Sequence, residues 1–343
     1  MSNPYRIVCG DVLKAVNGLG PFDAVLSDPP YGIGFMGKEW DAGVPGREFW
    51  EAIRAELRPG AHLMSFGGTR TSHRLTCAIE DAGFEIRDSI AWLYGTGFPK
   101  SRNVGKRVDG FEGYGTALKP AHEPVTVARN PFSGTVDANA REHGTGALNV
   151  DGARIAATDA QYAQKCASVV GLDSNRNGAT YGEWKGRRTN SQHDAGRWPA
   201  NVTLDEHVSE ALDANDIGGS SRFFYCAKPS KSEREAGLHH RAAETVSDGR
   251  EVVNHTAYQR GKTERLNIHP TVKPIALARW LATLMLPPDI GRPRRMLIPF
   301  SGVGSEIIGA LQAGWDEVVG IEISPEYADI SQDRVDHWHR RSA

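Results

Sequence analysis

Residues 295–305 read R-M-L-I-P-F-S-G-V-G-S, an apolar run that closes on a proline and then a turn of small residues. Arg295 to Ile298 has the composition of a buried strand, and Ser305 to Gln312 that of a helix stopped by Gly314. A turn of this kind lets a ligand approach the backbone, as in the nucleotide-binding turns of α/β sheets. The next strand, Glu317 to Ile323, carries Glu322 eighteen residues after Gly304. An acid there can accept hydrogen bonds from both hydroxyls of a ribose. The third glycine of a dinucleotide fingerprint is absent, because Ile307 stands in its place. Turn and acid together point to a nucleoside-type ligand more than to a pyrophosphate.

Outward from this stretch the chain divides into three. Residues 266–343 are α/β, with an apolar helix from Pro274 to Leu286, broken by Pro287-Pro288, and a final helix beginning at Pro325. Residues 1–130 are also α/β. Strands are expected at Arg6–Cys9, Asp23–Ser27, His62–Phe66, Ile86–Tyr94 and Pro124–Ala128. Helices are expected at Phe49–Leu57, stopped by Arg58-Pro-Gly60, and over 69–82, stopped by Gly83. Alternating strands and helices predict a doubly wound, mainly parallel α/β sheet. Residues 131–265 are rich in Gly, Asn, Ser, Asp and Arg, and periodicity fades there. That is too long for a structureless loop, so an inserted, loop-rich module is expected.

The totals exclude several classes. With 39% hydrophobic and 24% charged residues over 343 positions, the chain can build a sizeable core. No signal-peptide pattern opens it, and the most apolar run, Ile275–Leu286, is short and contains Arg279. A soluble, cytoplasmic protein without a membrane segment is expected. The four cysteines form no Cys-x-x-Cys pair and the twelve histidines no His-x-x-x-His, so no metal site is expected. The net charge of −2 hides local basic stretches at 85–107 and 176–197, each +3 by count of Lys and Arg against Asp and Glu. Either can be a solvated face or a nucleic-acid contact.

Residues 27–35, S-D-P-P-Y-G-I-G-F, supply the chemistry. An exocyclic amine on adenine or cytosine is a poor nucleophile, because its lone pair is drawn into the ring. To attack a methyl group it must be held so that the lone pair points at the carbon. Asp28 can accept one N–H and the carbonyl of Pro29 the other, while the rings of Pro29 and Pro30 lock the backbone. Tyr31 can stack on the base, and Gly32 and Gly34 permit a tight path afterwards. This is catalysis by positioning, with no covalent intermediate required.

Asp-Pro-Pro-Tyr at 28–31, followed by P-F-S-G-V-G-S at 299–305 with an insertion between, resembles the beta group of DNA amino-methyltransferases. The resemblance covers most of 5–130 and 266–335. It implies a Rossmann-like methyltransferase sheet, mostly parallel with one antiparallel strand, and S-adenosylmethionine as cofactor. Gly10-Asp11 is similar to the segment that meets the cofactor's adenine. H-P-T-V-K-P at 269–274, with Thr271 and Lys273, is similar to the one that approaches its methionine end. Phe300, Ser301, Gly302, Gly304 and Ser305 form the glycine motif, and Glu322 is the ribose acid. One position departs: the family usually begins the glycine motif Asp-Pro-Phe, and here Ile298 replaces the acid.

The resemblance implies methyl transfer to a flipped-out base in double-stranded DNA, with 131–265 as the target recognition region. Asp-Pro-Pro-Tyr resembles the adenine-N6 enzymes; cytosine N4 stays as the alternative, and a non-catalytic DNA-binding protein with a degenerate cofactor site as a more distant one. Cytosine-C5 chemistry needs a thiolate, typically beside proline, and no Pro-Cys occurs. The resemblance also allows a homodimer and a cognate restriction enzyme as partners. Phe300 is expected to touch cofactor, with core packing the other reading for it and for Trp40. Phe223, Phe224 and Tyr225 read as core more than as a base-stacking platform.

Overall fold

The computed structural model describes residues 3–34, 41–97, 101–157, 196–214, 219–227, 233–247 and 262–342. Its strands are β1 (Tyr5–Cys9), β2 (Phe22–Ser27), β3 (Leu57–Phe66), β4 (Glu85–Leu93), β5 (His122–Arg129), β6 (Val202–Asp205), β7 (Tyr225–Ala227), β8 (Glu244–Ser247), β9 (Lys262–Arg265), β10 (Arg295–Pro299) and β11 (Glu317–Glu322). Its helices are α1 (Val12–Ala15), α2 (Arg47–Ala55), α3 (Ser72–Asp81), α4 (Val136–His143), α5 (Glu206–Ala214), α6 (Ile275–Met285), α7 (Ser305–Ala313) and α8 (Pro325–Ser342).

Nine strands form one sheet in the order β1-β11-β10-β2-β3-β5-β4-β6-β7, and β8 pairs with β9 in a separate ribbon. Every pairing in the large sheet is parallel except the two made by β5. The expected sheet, mostly parallel with one antiparallel strand, is therefore present. Alternation along the strands sorts side chains onto its two faces. Ala24, Leu26, Met64, Met296, Ile298 and Val318 pack with residues of α6, α7 and α8. Val25, Leu63, Leu297, Val319 and Ile321 pack with Val12, Trp50, Ile53, Leu75 and Ile79 of α1, α2 and α3. Helices on both faces explain why the central strands are buried on both sides and mostly apolar.

Two features depart from the sequence reading. β3 begins at Leu57 and runs straight through Pro59-Gly60, where a loop was expected. The Asn130 amide donates to the Leu57 and Arg58 carbonyls at 3.2 and 3.0 Å, and Asn139 to that of Pro59 at 3.2 Å. Side-chain amides thus replace ladder bonds that proline disrupts. Secondly, β6 and β7, from the loop-rich stretch, extend the main sheet beyond β4. Tyr225 stacks on Trp280 with centroids 5.0 Å apart, so it packs as core, whereas Phe223 is exposed between Arg197 and Arg222. Trp40 and most of the 176–197 basic stretch lie outside the described residues. Among the described residues no helix is long and apolar enough to cross a membrane.

Candidate active site

β2 and β10 are adjacent and parallel, with Val25 level with Leu297, so Asp28 and the glycine turn leave the sheet side by side. A cavity of about 610 Å³ opens at this edge, a volume suited to a small-molecule ligand. Asp11, Asp28, Pro29, Pro30, Tyr31, Thr271, Lys273, Phe300, Ser301, Gly302, Ser305 and Glu322 all line it. Gly304 does not. It caps α7 with φ 82°, and an added Cβ would lie 2.4 Å from the Ser331 hydroxyl of α8. Its smallness serves helix packing.

Local structure explains how each group is held. Asp11 caps α1 by accepting the Leu13 N–H at 2.8 Å. Glu322 accepts from the backbone N–H of Gly302 and of Ser324, both at 2.8 Å, and so ties the glycine turn to the end of β11. Burial pushes its carboxyl up. Phe300 has φ 59°, an uncommon left-handed backbone for a bulky residue, and its ring lies 6.0 Å from that of Phe49. After Tyr31 the chain turns through Gly32 at φ 65°, where a Cβ would meet the backbone of Val44 at 2.8 Å. Buried Asp41 fixes that turn by accepting from the Gly32 and Ile33 N–H groups.

The polar heart of the cavity is a network around Lys273. Its ammonium donates to both oxygens of Asp28 at 2.8 Å and to the Tyr31 hydroxyl at 3.0 Å, and lies 3.3 Å from Glu123. The Tyr31 hydroxyl is 2.8 Å from Glu123 and 3.0 Å from Asp28. Burial alone would lower the Lys273 pKa, but Asp28 and then Glu123 outweigh it and hold the lysine charged. Burial first, then the two carboxylates, pushes the Tyr31 hydroxyl well above its ordinary value. Thr271 accepts from His269 Nδ1 through its carbonyl, and burial lowers His269 to about 4. The 269–273 segment is thereby packed onto the glycine turn, with His269 Nε2 3.4 Å from the place a Gly302 Cβ would occupy.

Sequence reasoning missed Glu123, Glu306, Asp41 and His269. Glu306 directly follows the glycine motif, so its place in the first turn of the helix was visible; its burial was not. Burial, then Asp28, pushes its carboxyl up to about 7. Glu123 sits at the start of the reversed strand and carries no local motif.

A protein-family model described as DNA methylase matches residues 22–333. The chain belongs to this DNA methylase family. It is accordingly an S-adenosylmethionine-dependent DNA methyltransferase, and the observed sheet carries that enzyme class. Among solved structures, the cytosine-N4-specific PvuII DNA methyltransferase is similar in fold, with a TM-score of 0.51 and 13% identity, covering 99% of this chain and 93% of that one. M1.HpyAVI aligns at a TM-score of 0.46 and 13% identity over 97% of this chain and 98% of its own. A putative DNA modification methylase from Thermus thermophilus aligns at 0.44 and 13% identity, covering 96% and 94%. No curated protein sequence matches the chain. The DNA methylase brings Gly302 of the glycine turn, Glu322 and the carboxylates of Asp28, Glu123 and Glu306 to one cavity.

Proposed function

We propose that this methylase transfers a methyl group to the N6 amine of adenine in a base extruded from double-stranded DNA. The observation that carries the reading is the shared cavity of Asp28 and the Gly302 turn. S-adenosylmethionine supplies an electrophilic methyl on a sulfonium. The chain's own groups do the positioning. Glu322, Gly302 and Asp11 are suited to hold the nucleoside half. Thr271, Ser301, Ser305 and Phe300 are suited to hold the rest.

On the target side, an Asp28 oxygen accepts one N–H of the amine and the Pro29 carbonyl the other, leaving the lone pair directed at the methyl. Tyr31, whose hydroxyl is fixed by Asp28, Glu123 and Lys273, offers its ring to the base. As the N–C bond forms and the C–S pair returns to sulfur, the nitrogen becomes cationic. The Asp28 carboxylate stabilises that charge and receives the proton the nitrogen sheds.

The rim suits duplex DNA. The connection between β4 and β5 rises from the same edge with Arg102, Lys106 and Arg107 exposed, together with Phe111 and Tyr114. Phe223 with Arg197 and Arg222 gives the 131–265 region a second basic-aromatic patch, and this region is the proposed reader of base edges. The test is digestion of treated DNA to nucleosides and mass spectrometry. N6-methyldeoxyadenosine is expected, N4-methyldeoxycytidine would move the assignment to cytosine, and neither product would overturn the reading.

A further inference from the structure

Six carboxylates of the described residues line the cavity: Asp11, Asp41 and Glu322 accept from backbone N–H groups of neighbouring residues, and Asp28 and Glu123 are paired with a cation. Asp28 is held by Lys273 through both oxygens, and Glu123 accepts from Tyr31 and lies beside the same ammonium. Glu306 differs. It is 5% exposed, stands in the first turn of α7, and lines the cavity beside Ser301, Gly302 and Ser305. Its carboxylate makes no ion pair within 4.0 Å among the described residues. Arg334 approaches from α8, but its guanidinium donates to the Val303 carbonyl, to the Ser305 hydroxyl at 3.2 Å and to the Glu233 carbonyl at 3.2 Å. Lys273 and Arg334 favour the charged form of Glu306 without pairing with it, but burial and Asp28 outweigh them, so a ligand cation at the carboxylate would stabilise the anion.

Ile298 makes the gap informative. It is fully buried among apolar residues of β10's neighbours, so the strand end offers no carboxylate to a ligand. Glu306 lines the cavity, whereas Ile298 does not. The methyl donor has two cationic centres. The sulfonium has no N–H, whereas the α-ammonium has three and can satisfy a carboxylate's acceptors.

We propose that the Glu306 carboxylate is the counter-ion of the donor's α-ammonium group. This rests on the reading of the cavity as the S-adenosylmethionine site. The position also explains why an unpaired acid is tolerated in the ligand-free protein: its raised pKa lets it stay partly protonated until the cation arrives.

The test is calorimetric binding, with no turnover. S-adenosylhomocysteine carries the amino-acid tail; 5′-methylthioadenosine keeps the nucleoside and lacks the tail. Glu306→Gln should weaken S-adenosylhomocysteine by roughly tenfold or more and leave methylthioadenosine within about twofold of the unaltered protein. A deaminated analogue of S-adenosylhomocysteine should bind both proteins alike. Equal S-adenosylhomocysteine affinity in the two proteins would overturn the proposal. So would parallel loss of both ligands, which would mark Glu306 as structural. If the unaltered protein bound neither ligand, the donor-site reading itself would fall, and the proposal with it.

Discussion

The Lys273 ammonium lies 2.8 Å from each carboxylate oxygen of Asp28, across 245 residues of sequence. On the proposed reading, the lysine occupies the position at Asp28 that the target amine takes. Methyl transfer therefore requires Lys273 to give up at least one of these bonds when the base enters. Lys273→Met should leave Asp28 and Glu123 as adjacent uncompensated carboxylates and lower stability by about 3 kcal/mol in chemical denaturation. A variant as stable as the parent would show that the pair contributes nothing net.

Asp28→Ala should lower single-turnover methylation by at least ~10³-fold, since it removes the acceptor that orients the amine. S-adenosylhomocysteine affinity should stay within a few-fold, because the proposed donor contacts lie mainly on Glu322 and the glycine turn. Full activity in this variant would remove Asp28 from the mechanism.

The pH dependence of the ligand-free protein follows from Glu306. Its carboxyl titrates at about 7 in the native chain against an ordinary 4.5. Between those values the native state binds a proton that the unfolded state has lost, so this group's contribution to stability falls as pH rises through the window. Buried His62 and half-buried His269, both lowered to about 4, act in the opposite sense between about 4 and 6.5. The difference between parent and Glu306→Gln isolates the carboxylate. Denaturation midpoints should show Glu306→Gln gaining on the parent from pH 5 to pH 7.5.

Paired Lys106→Ala and Arg107→Ala should weaken duplex binding and reduce the slope of log affinity against log salt by about 2, if both face phosphate. Fluorescence anisotropy between low and physiological salt reads this directly. An unchanged slope would place these residues away from DNA.

Asp23 anchors the opposite end of β2. Its buried carboxylate accepts from Arg292 at 2.6 and 2.9 Å and from the Arg295 N–H at 2.8 Å, and lies 3.3 Å from Arg58. Asp23→Ala should cost about 3 kcal/mol by denaturation without altering ligand affinity in the remaining folded protein.

Much of this molecule was legible in its sequence because the deciding signals are local. The run Arg295–Ile298 before P-F-S-G-V-G-S announced strand, turn and helix, and Asp28-Pro-Pro-Tyr31 announced a rigid carboxylate and ring. The alternation of apolar strands with helical segments announced the sheet. What escaped depends on distance. No property of Glu123 or Lys273 in isolation says that both will converge on one tyrosine hydroxyl. Pro59-Gly60 read as a stop, because the amides of Asn130 and Asn139 that rescue the strand come from 70 or more positions away. β6 and β7 are too short to show periodicity, and only the pairing of β6 with β4 and of β7 with β6 defines them.

The reversal of β5 has a consequence for how such a protein can change. Because that strand starts where its neighbours finish, the polypeptide between Leu93 and His122 leaves and re-enters the framework at the mouth of the reaction chamber. Residues can be added or exchanged along that excursion while the ladder beneath keeps its alignment. Grafting this one segment between related enzymes is thus a direct route to altered DNA engagement on an unaltered catalytic chassis.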